Sequence, residues 1–148
     1  MQKEKSTKSK DLSFLSININ GLLNKLEDLQ SLLVPIKFKF DIIAISETHL
    51  NITSEKFANM NGYKSLFNSR KLNGWGGVDL FVRSDLVFIP KPDITILIEG
   101  TFESVFVEAI EADRRYLVGS MYRPSNSDMT QFFQHLSATL SKIKDRKS

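Results

Sequence analysis

Two short apolar runs, residues 12–18 and 41–47, constrain this chain more than any other feature, because an amphipathic stretch that closes at Pro35 lies between them. In the first run Leu12, Phe14 and Ser16 alternate with Ser13, Leu15 and Ile17. Both faces are largely apolar, the pattern of a central strand covered on two sides. Leu26, Leu29, Leu32 and Leu33 then recur at helical spacing, with Asn24 placed to cap the helix and Pro35 to stop it. The second run, Asp41-Ile42-Ile43-Ala44-Ile45-Ser46-Glu47, reads as a buried strand. Strand, helix and strand in this order predict a parallel pair joined by a right-handed crossover.

Beyond Glu47 the pattern changes to shorter strands and turns. Residues 62–67, 78–83, 94–98, 103–110 and 115–122 read as strands, with turns at Gly100 and Asp113 and a break marked by Pro90 and Pro92. Asp128 (or Ser127) is placed to cap a last helix whose Phe132, Phe133, Leu136, Leu140 and Ile143 form one stripe. The expected architecture is a mixed α/β domain with layered sheets. At 148 residues the chain is long enough to bury a core without covalent staples, and its lack of cysteine excludes a disulfide framework, a thiol nucleophile and Cys-ligated zinc. No apolar run approaches the length of a membrane span, and no apolar segment follows the charged N-terminus as in a secretion signal. We therefore expect an intracellular protein, cytoplasmic or nuclear, with no membrane partner. The glycosylation sequon Asn51-Ile52-Thr53 is discounted for the same reason.

The formal charge of +3 is unevenly placed. Residues 1–10 carry +3 and residues 141–148 carry +3, leaving twelve basic and fifteen acidic residues, or −3, in 11–140. This divides the chain into a disordered basic tail (1–11), a domain (12–140) and a second basic tail (141–148). Such tails attract phosphate without sequence preference, although a solvated end is the commoner meaning of a short charge run.

Functional groups in α/β folds emerge where parallel strands end. Here the two neighbouring strands end in Asn18-Ile19-Asn20-Gly21 and in Ser46-Glu47-Thr48, which brings amides and a carboxylate to one sheet edge. A carboxylate directly after a buried apolar run is costly unless paired or bound to a metal. One carboxylate with amide oxygens nearby suits Mg²⁺, which takes few protein ligands. A solvated strand end at Glu47 and an ordinary turn at Asn20-Gly21 account equally well for the spacing.

Four blocks, residues 15–22, residues 40–50, Gly76-Gly77-Val78-Asp79-Leu80-Phe81-Val82-Arg83 and Met121-Tyr122-Arg123-Pro124, together resemble the endonuclease/exonuclease/phosphatase superfamily. More narrowly, they resemble the apurinic-type endonuclease domain of non-LTR retrotransposons. The resemblance covers roughly residues 12–140. It implies a deoxyribonuclease-I-like sandwich of two sheets flanked by helices, incomplete at the C-terminus. It further implies Glu47 as the Mg²⁺ ligand (Mn²⁺ as a substitute), Asn18 and Tyr122 as catalytic groups beside the scissile phosphate, and Asn20 and Arg123 as nucleic-acid contacts. DNA is the implied partner, with a reverse transcriptase domain in the parent polyprotein.

The family's Gly-Asp-Phe-Asn and Ser-Asp-His blocks, which supply the water-orienting Asp and the His-Asp pair, do not occur in these residues. Loss of a general base removes about 10²- to 10⁴-fold of rate, so the resemblance implies a Mg²⁺-dependent DNA endonuclease fragment that is inactive alone and prone to aggregate. Two other functions are compatible with the same residues: a non-enzymatic nucleic-acid-binding or structural remnant, and a phosphatase acting on a small phosphoester. His49 reads as a loop residue and His135 as a helix-surface residue, both structural. Asp79 stands where relatives carry a small residue, and alternation puts it on the face of Phe81 and Arg83, where exposure would make it harmless. Gly74-Trp75-Gly76-Gly77 lacks phosphate-loop spacing and reads as the lead into a strand. Glu103 reads as a member of a cross-strand salt bridge or network.

Overall fold

A computed structural model describes residues 11–36, 39–71 and 74–146. Within them the first sheet contains β1 (Phe14–Asn18), β2 (Ile42–Ser46), β3 (Tyr63–Asn68) and β4 (Val78–Arg83), in the order β1-β2-β4-β3. The parallel β1–β2 pair predicted from the two apolar runs is present, with Phe14 opposite Ile42 and Asn18 opposite Ser46. Helix α1 (Leu26–Leu33) connects them. The start of the pair is pinned by Asp41, which is buried yet satisfied. Its carboxylate accepts from the Ser13 amide at 2.7 Å and the Ser13 hydroxyl at 2.9 Å, and it pairs with Arg83.

The second sheet is organised on β7 (Phe102–Glu111). One edge of β7 pairs with β8 (Arg114–Tyr122) along nearly its whole length, and the other is shared by β5 (Val87–Pro90) and β6 (Leu97–Ile98). Ile42, Val78, Leu80 and Val82 of the first sheet meet Val105, Val107 and Ala109 of the second, forming the inter-sheet core. The outer face of the first sheet carries Ile43, Ile45 and Phe81 against Leu22, Leu26 and Leu29. Helix α2 (Met129–Asp145) covers the second sheet, with Phe132 against Phe102 at 5.4 Å between ring centroids. The result is a helix–sheet–sheet–helix sandwich, the layered α/β architecture that the sequence predicts. No helix among the described residues is long and apolar enough to cross a membrane.

Several local expectations are corrected. Strand β1 is at the edge of its sheet, not central, and Phe14 is 66% exposed on it, because apolar side chains on both faces do not by themselves supply a neighbour. Lys25, not Asn24, holds the cap position of α1, and its ammonium reaches back to the carbonyls of Ile19 (2.8 Å) and Asn20 (3.0 Å). Strand β5 was not anticipated: it ends at Pro90, where the expected break does begin, and proline is tolerated there because β5 is an edge strand. Asp128 does cap α2, accepting from the Gln131 amide at 2.8 Å. The apolar stripe of α2 is wider than its contact, however, and Phe133 and Leu140 face solvent. His135, read as a helix-surface residue, is half-buried against Phe102, 6.0 Å between centroids.

The predicted second tail also changes character. Residues 141–145 are the last turns of α2, where Lys142 donates to the Asp93 carbonyl and Arg146, just beyond, pairs with the Asp93 carboxylate. Cations at a helix C-terminus suit its dipole, which is why this charge run folds. Residues 1–10 and 147–148 lie outside the described residues.

Strands β1 and β8 each have one partner among the described residues, and Phe14, Leu117 and Met121 are exposed along them. Open edges of this kind template further pairing. The 148-residue chain is expected to self-associate at micromolar concentration and to bind ANS. Sedimentation velocity should show the Phe14→Lys/Met121→Lys variant shifted toward monomer.

Candidate active site

The site forms where the first sheet's β2 and the second sheet's β8 end side by side. Glu47 follows β2 directly, and the segment it begins does not continue as a strand. Glu47 and His49 adopt left-handed φ values of 53° and 56°, and Asn20 across from them one of 49°. Such values are uncommon for residues with a Cβ and cluster at sites where the surroundings impose them. The imposed partners are visible: the amides of Gly21 and Leu22 donate to the carbonyls of Glu47 (2.8 Å) and Thr48 (2.9 Å), zipping the loop after β1 to the loop after β2.

Tyr122 closes the site from the other sheet. Its hydroxyl donates to Glu47 Oε1 at 3.1 Å, across 75 residues of sequence. Burial, followed by the charge and hydrogen bond of Glu47, pushes the phenol pKa above its ordinary value. Tyr122 therefore stays a protonated donor throughout the neutral range.

Of the residues singled out from sequence, Glu47 and Tyr122 are in contact, Asn18 lies exposed at the end of β1 opposite Ser46, and Asn20 lies exposed on the zipped loop that follows. Arg123 is exposed directly after Tyr122, with no hydrogen bond to the other four. The donors are all oxygen or amide, and no group of three His, Cys, Asp or Glu gathers among the described residues. This set fits a hard cation such as Mg²⁺, which keeps most of its waters. It does not fit zinc, which wants a full set of nitrogen and sulfur ligands.

The structure adds a supporting layer that the sequence did not disclose. Glu103, fully buried on β7 directly opposite Tyr122, pairs with Arg70, whose Nε donates to Oε1 at 2.7 Å. Glu103 Oε2 accepts from the Gly77 amide at 2.7 Å. Gly76 and Gly77 have φ of +89° and +93°, and a Cβ on Gly76 would collide with the Arg70 guanidinium while one on Gly77 would lie 2.6 Å from Thr48 Oγ1. The His49 amide in turn donates to the Gly76 carbonyl at 2.8 Å. Asn68, at the end of β3, also bridges the sheets by donating to the carbonyls of Ile96 (2.9 Å) and Ser104 (2.7 Å). The network expected for Glu103 thus exists, but its partner Arg70 is 33 residues away in a loop that carries no periodic signal.

Asp79 is corrected. It does share a face with Phe81 and Arg83, but that face is covered, and Asp79 is fully buried. Burial pushes its carboxyl up to about 7, opposed by the Thr48 hydroxyl and by the Asn68 amide, which donates to Oδ1 at 2.8 Å. Oδ2 has no hydrogen-bond partner of normal geometry, nor does the buried Thr48 Oγ1. A protonated Oδ2 supplies the donor that such a pocket needs.

Three solved structures share this architecture. The endonuclease domain of TRAS1, described as a telomere-specific non-LTR retrotransposon, matches with TM-score 0.65 at 15% identity, over 90% of this chain and 54% of its own. Humanized D. rerio TDP2 matches with TM-score 0.64 at 20% identity, over 90% and 56%. An AP endonuclease from Archaeoglobus fulgidus matches with TM-score 0.57 at 20% identity, over 89% and 52%. The chain thus spans about half the length of these proteins. No protein-family model and no curated protein matches the sequence. At this level of identity what is shared is the fold, a two-sheet α/β sandwich that these endonuclease and TDP2 structures have in common with this chain.

Two measurements check the supporting layer. Arg70→Met leaves Glu103 buried without its cation and is expected to cost about 3–5 kcal/mol in urea denaturation. For Asp79 the folded state binds more protons than the unfolded one between the ordinary carboxylate pKa and about 7. Stability must therefore fall as pH rises through that window, by on the order of 4 kcal/mol for a shift of this size. Asp79→Asn should flatten the profile and be more stable than the native chain at pH above 7.

Proposed function

We propose that these residues are the Glu47-bearing part of a Mg²⁺-dependent DNA endonuclease of the non-LTR retrotransposon type. The observation that carries the reading is the Tyr122–Glu47 contact at 3.1 Å, which unites the ends of strands from both sheets at one mouth. Glu47, with Asn18 beside it, would hold the cation, and Mn²⁺ would substitute. The cation, when bound, neutralises phosphate charge and stabilises the departing alkoxide. With Glu47 turned to the cation, Tyr122 would release it and donate its one hydroxyl proton to a phosphate oxygen, where burial still holds the phenol protonated. Asn18 and Asn20 offer amide donors to the backbone on the exposed side, and Arg123 offers a cation to a flanking phosphate. DNA is the substrate class on this reading, and a reverse transcriptase domain is the partner expected in a parent polyprotein.

None of these groups generates the attacking hydroxide. His49 packs against Trp75 and His135 against Phe102, and neither stands beside an acidic partner in a Ser-Asp-His block. The 148 residues alone are therefore expected to bind cation and DNA but to turn over poorly. In a Mg²⁺-dependent plasmid-nicking assay the chain should stay near background. Glu47→Gln should weaken Mn²⁺ binding, followed by electron paramagnetic resonance, at least tenfold, as loss of a sole charged ligand requires. Robust nicking that vanishes in Glu47→Ala would instead show that these residues suffice for hydrolysis.

A further inference from the structure

The chemistry proposed for Glu47 and Tyr122 leaves unused the most conspicuous side chain on the rim of the site. Trp75 is the sole tryptophan of the chain and is 69% exposed. The backbone of the glycines on either side of it is closely packed all the same. A Cβ on Gly74 would come within 3.1 Å of the His49 carbonyl oxygen, and the next glycine, Gly76, is pressed on Arg70. These close approaches fix the backbone on both sides of the indole. The ring itself rests against the His49 imidazole, 5.1 Å between centroids at a 59° tilt.

His49 connects this pair to the candidate site. It lies two residues after Glu47, and its Nδ1 is 3.6 Å from where a Cβ on Gly21 would stand, next to Asn20. The indole therefore borders the loops that present Glu47, Asn18 and Asn20. A large ring anchored on a stiff backbone and held out to solvent loses little freedom when a flat ligand stacks on it. Every nucleobase has such a face, whereas in a duplex those faces are covered by neighbouring base pairs.

We propose that Trp75, backed by His49, stacks on an unpaired nucleobase adjacent to the phosphodiester held at Glu47 and Tyr122, so that the preferred ligand is single-stranded or locally opened DNA. This rests on the nuclease reading above and specifies its substrate. The stacking is sequence-tolerant, since it uses the π-face and not the hydrogen-bonding edge.

The test uses the full chain at submicromolar concentration with three ligands of equal length: an oligodeoxyadenylate, its duplex, and an oligomer of abasic sites carrying the same charge. As the sole tryptophan, Trp75 reports directly through its fluorescence. The oligodeoxyadenylate is expected to quench it and to bind about 5- to 150-fold more tightly than the abasic oligomer, the range a single stacked base commands. Trp75→Ala should reduce oligodeoxyadenylate affinity, read by anisotropy of the labelled strand, to the abasic level while leaving abasic binding unchanged. Trp75→Phe should recover most of the loss. The inference is overturned alone if DNA binds in a Glu47-dependent way but Trp75→Ala binds oligodeoxyadenylate as the native chain does, or if the duplex binds as tightly as the single strand. If none of the three ligands binds, the nuclease reading falls, and this inference with it.

Discussion

The buried pair of Arg70 and Glu103 is the interaction on which the rest of the site depends. Taking both charges out of water is expensive, and the cost is met only when the remaining lone pairs are also filled. Here one carboxylate oxygen faces the guanidinium and the other faces the Gly77 amide, so the charge of Glu103 is fully engaged. The geometry has a further effect. Glu103 is on the second sheet opposite Tyr122, whereas Gly77 leads into β4 of the first sheet and packs on Thr48. One carboxylate therefore sets the spacing between the strand that presents Tyr122 and the segment that supports Glu47. The 3.1 Å contact between those two side chains is downstream of that spacing.

Glycine at 76 and 77 is the backbone counterpart of the same constraint. The positive φ values and the lack of Cβ let the chain lie against Arg70 on one side and Thr48 on the other. The left-handed turns at Glu47 and His49 are strained conformations held by the amide–carbonyl bonds to Gly21, Leu22 and Gly76. Rigidity at Trp75 and strain at Glu47 thus have one origin, a set of loops pressed together around a buried ion pair. Loops that carry function on a rigid scaffold are the general pattern; in this chain the scaffold reaches into the loops.

Much of this was legible in the sequence, for identifiable reasons. The parallel β1–β2 pair follows from two apolar runs and a helix of the right length, and the sheet edge that collects Asn18, Asn20 and Glu47 follows from that pair. The cap at Asp128 and the β7–β8 pairing follow from local chemistry. What was not legible depends on distant neighbours. Alternation assigned Asp79 to its correct face but carried no information on whether that face would be covered. Apolar residues on both sides of β1 said nothing of how many strands would flank it. Arg70 sits in a polar loop, and only the three-dimensional approach of β7 makes it a buried counter-ion. The basic run at 141–145 is helix, with Lys142 and the following Arg146 received by Asp93, far away in sequence.

The charge state of the site follows from these buried groups taken together. Glu103 is balanced by Arg70, and Asp79, with burial pushing its carboxyl up to about 7, is largely neutral below that pH. Glu47 is then the carboxylate whose charge faces the mouth, with the Tyr122 phenol as a neutral donor on it. On the reading proposed above, a mouth that presents one carboxylate would take a divalent cation that keeps most of its waters. With a dication held there, the local charge would become positive, and a phosphodiester would be drawn in instead of repelled. Had Asp79 remained ionised a short distance behind Thr48, the second negative charge would cancel that attraction. The raised pKa of the buried Asp79, a liability for stability, would on that reading keep a second negative charge away from the mouth below about pH 7.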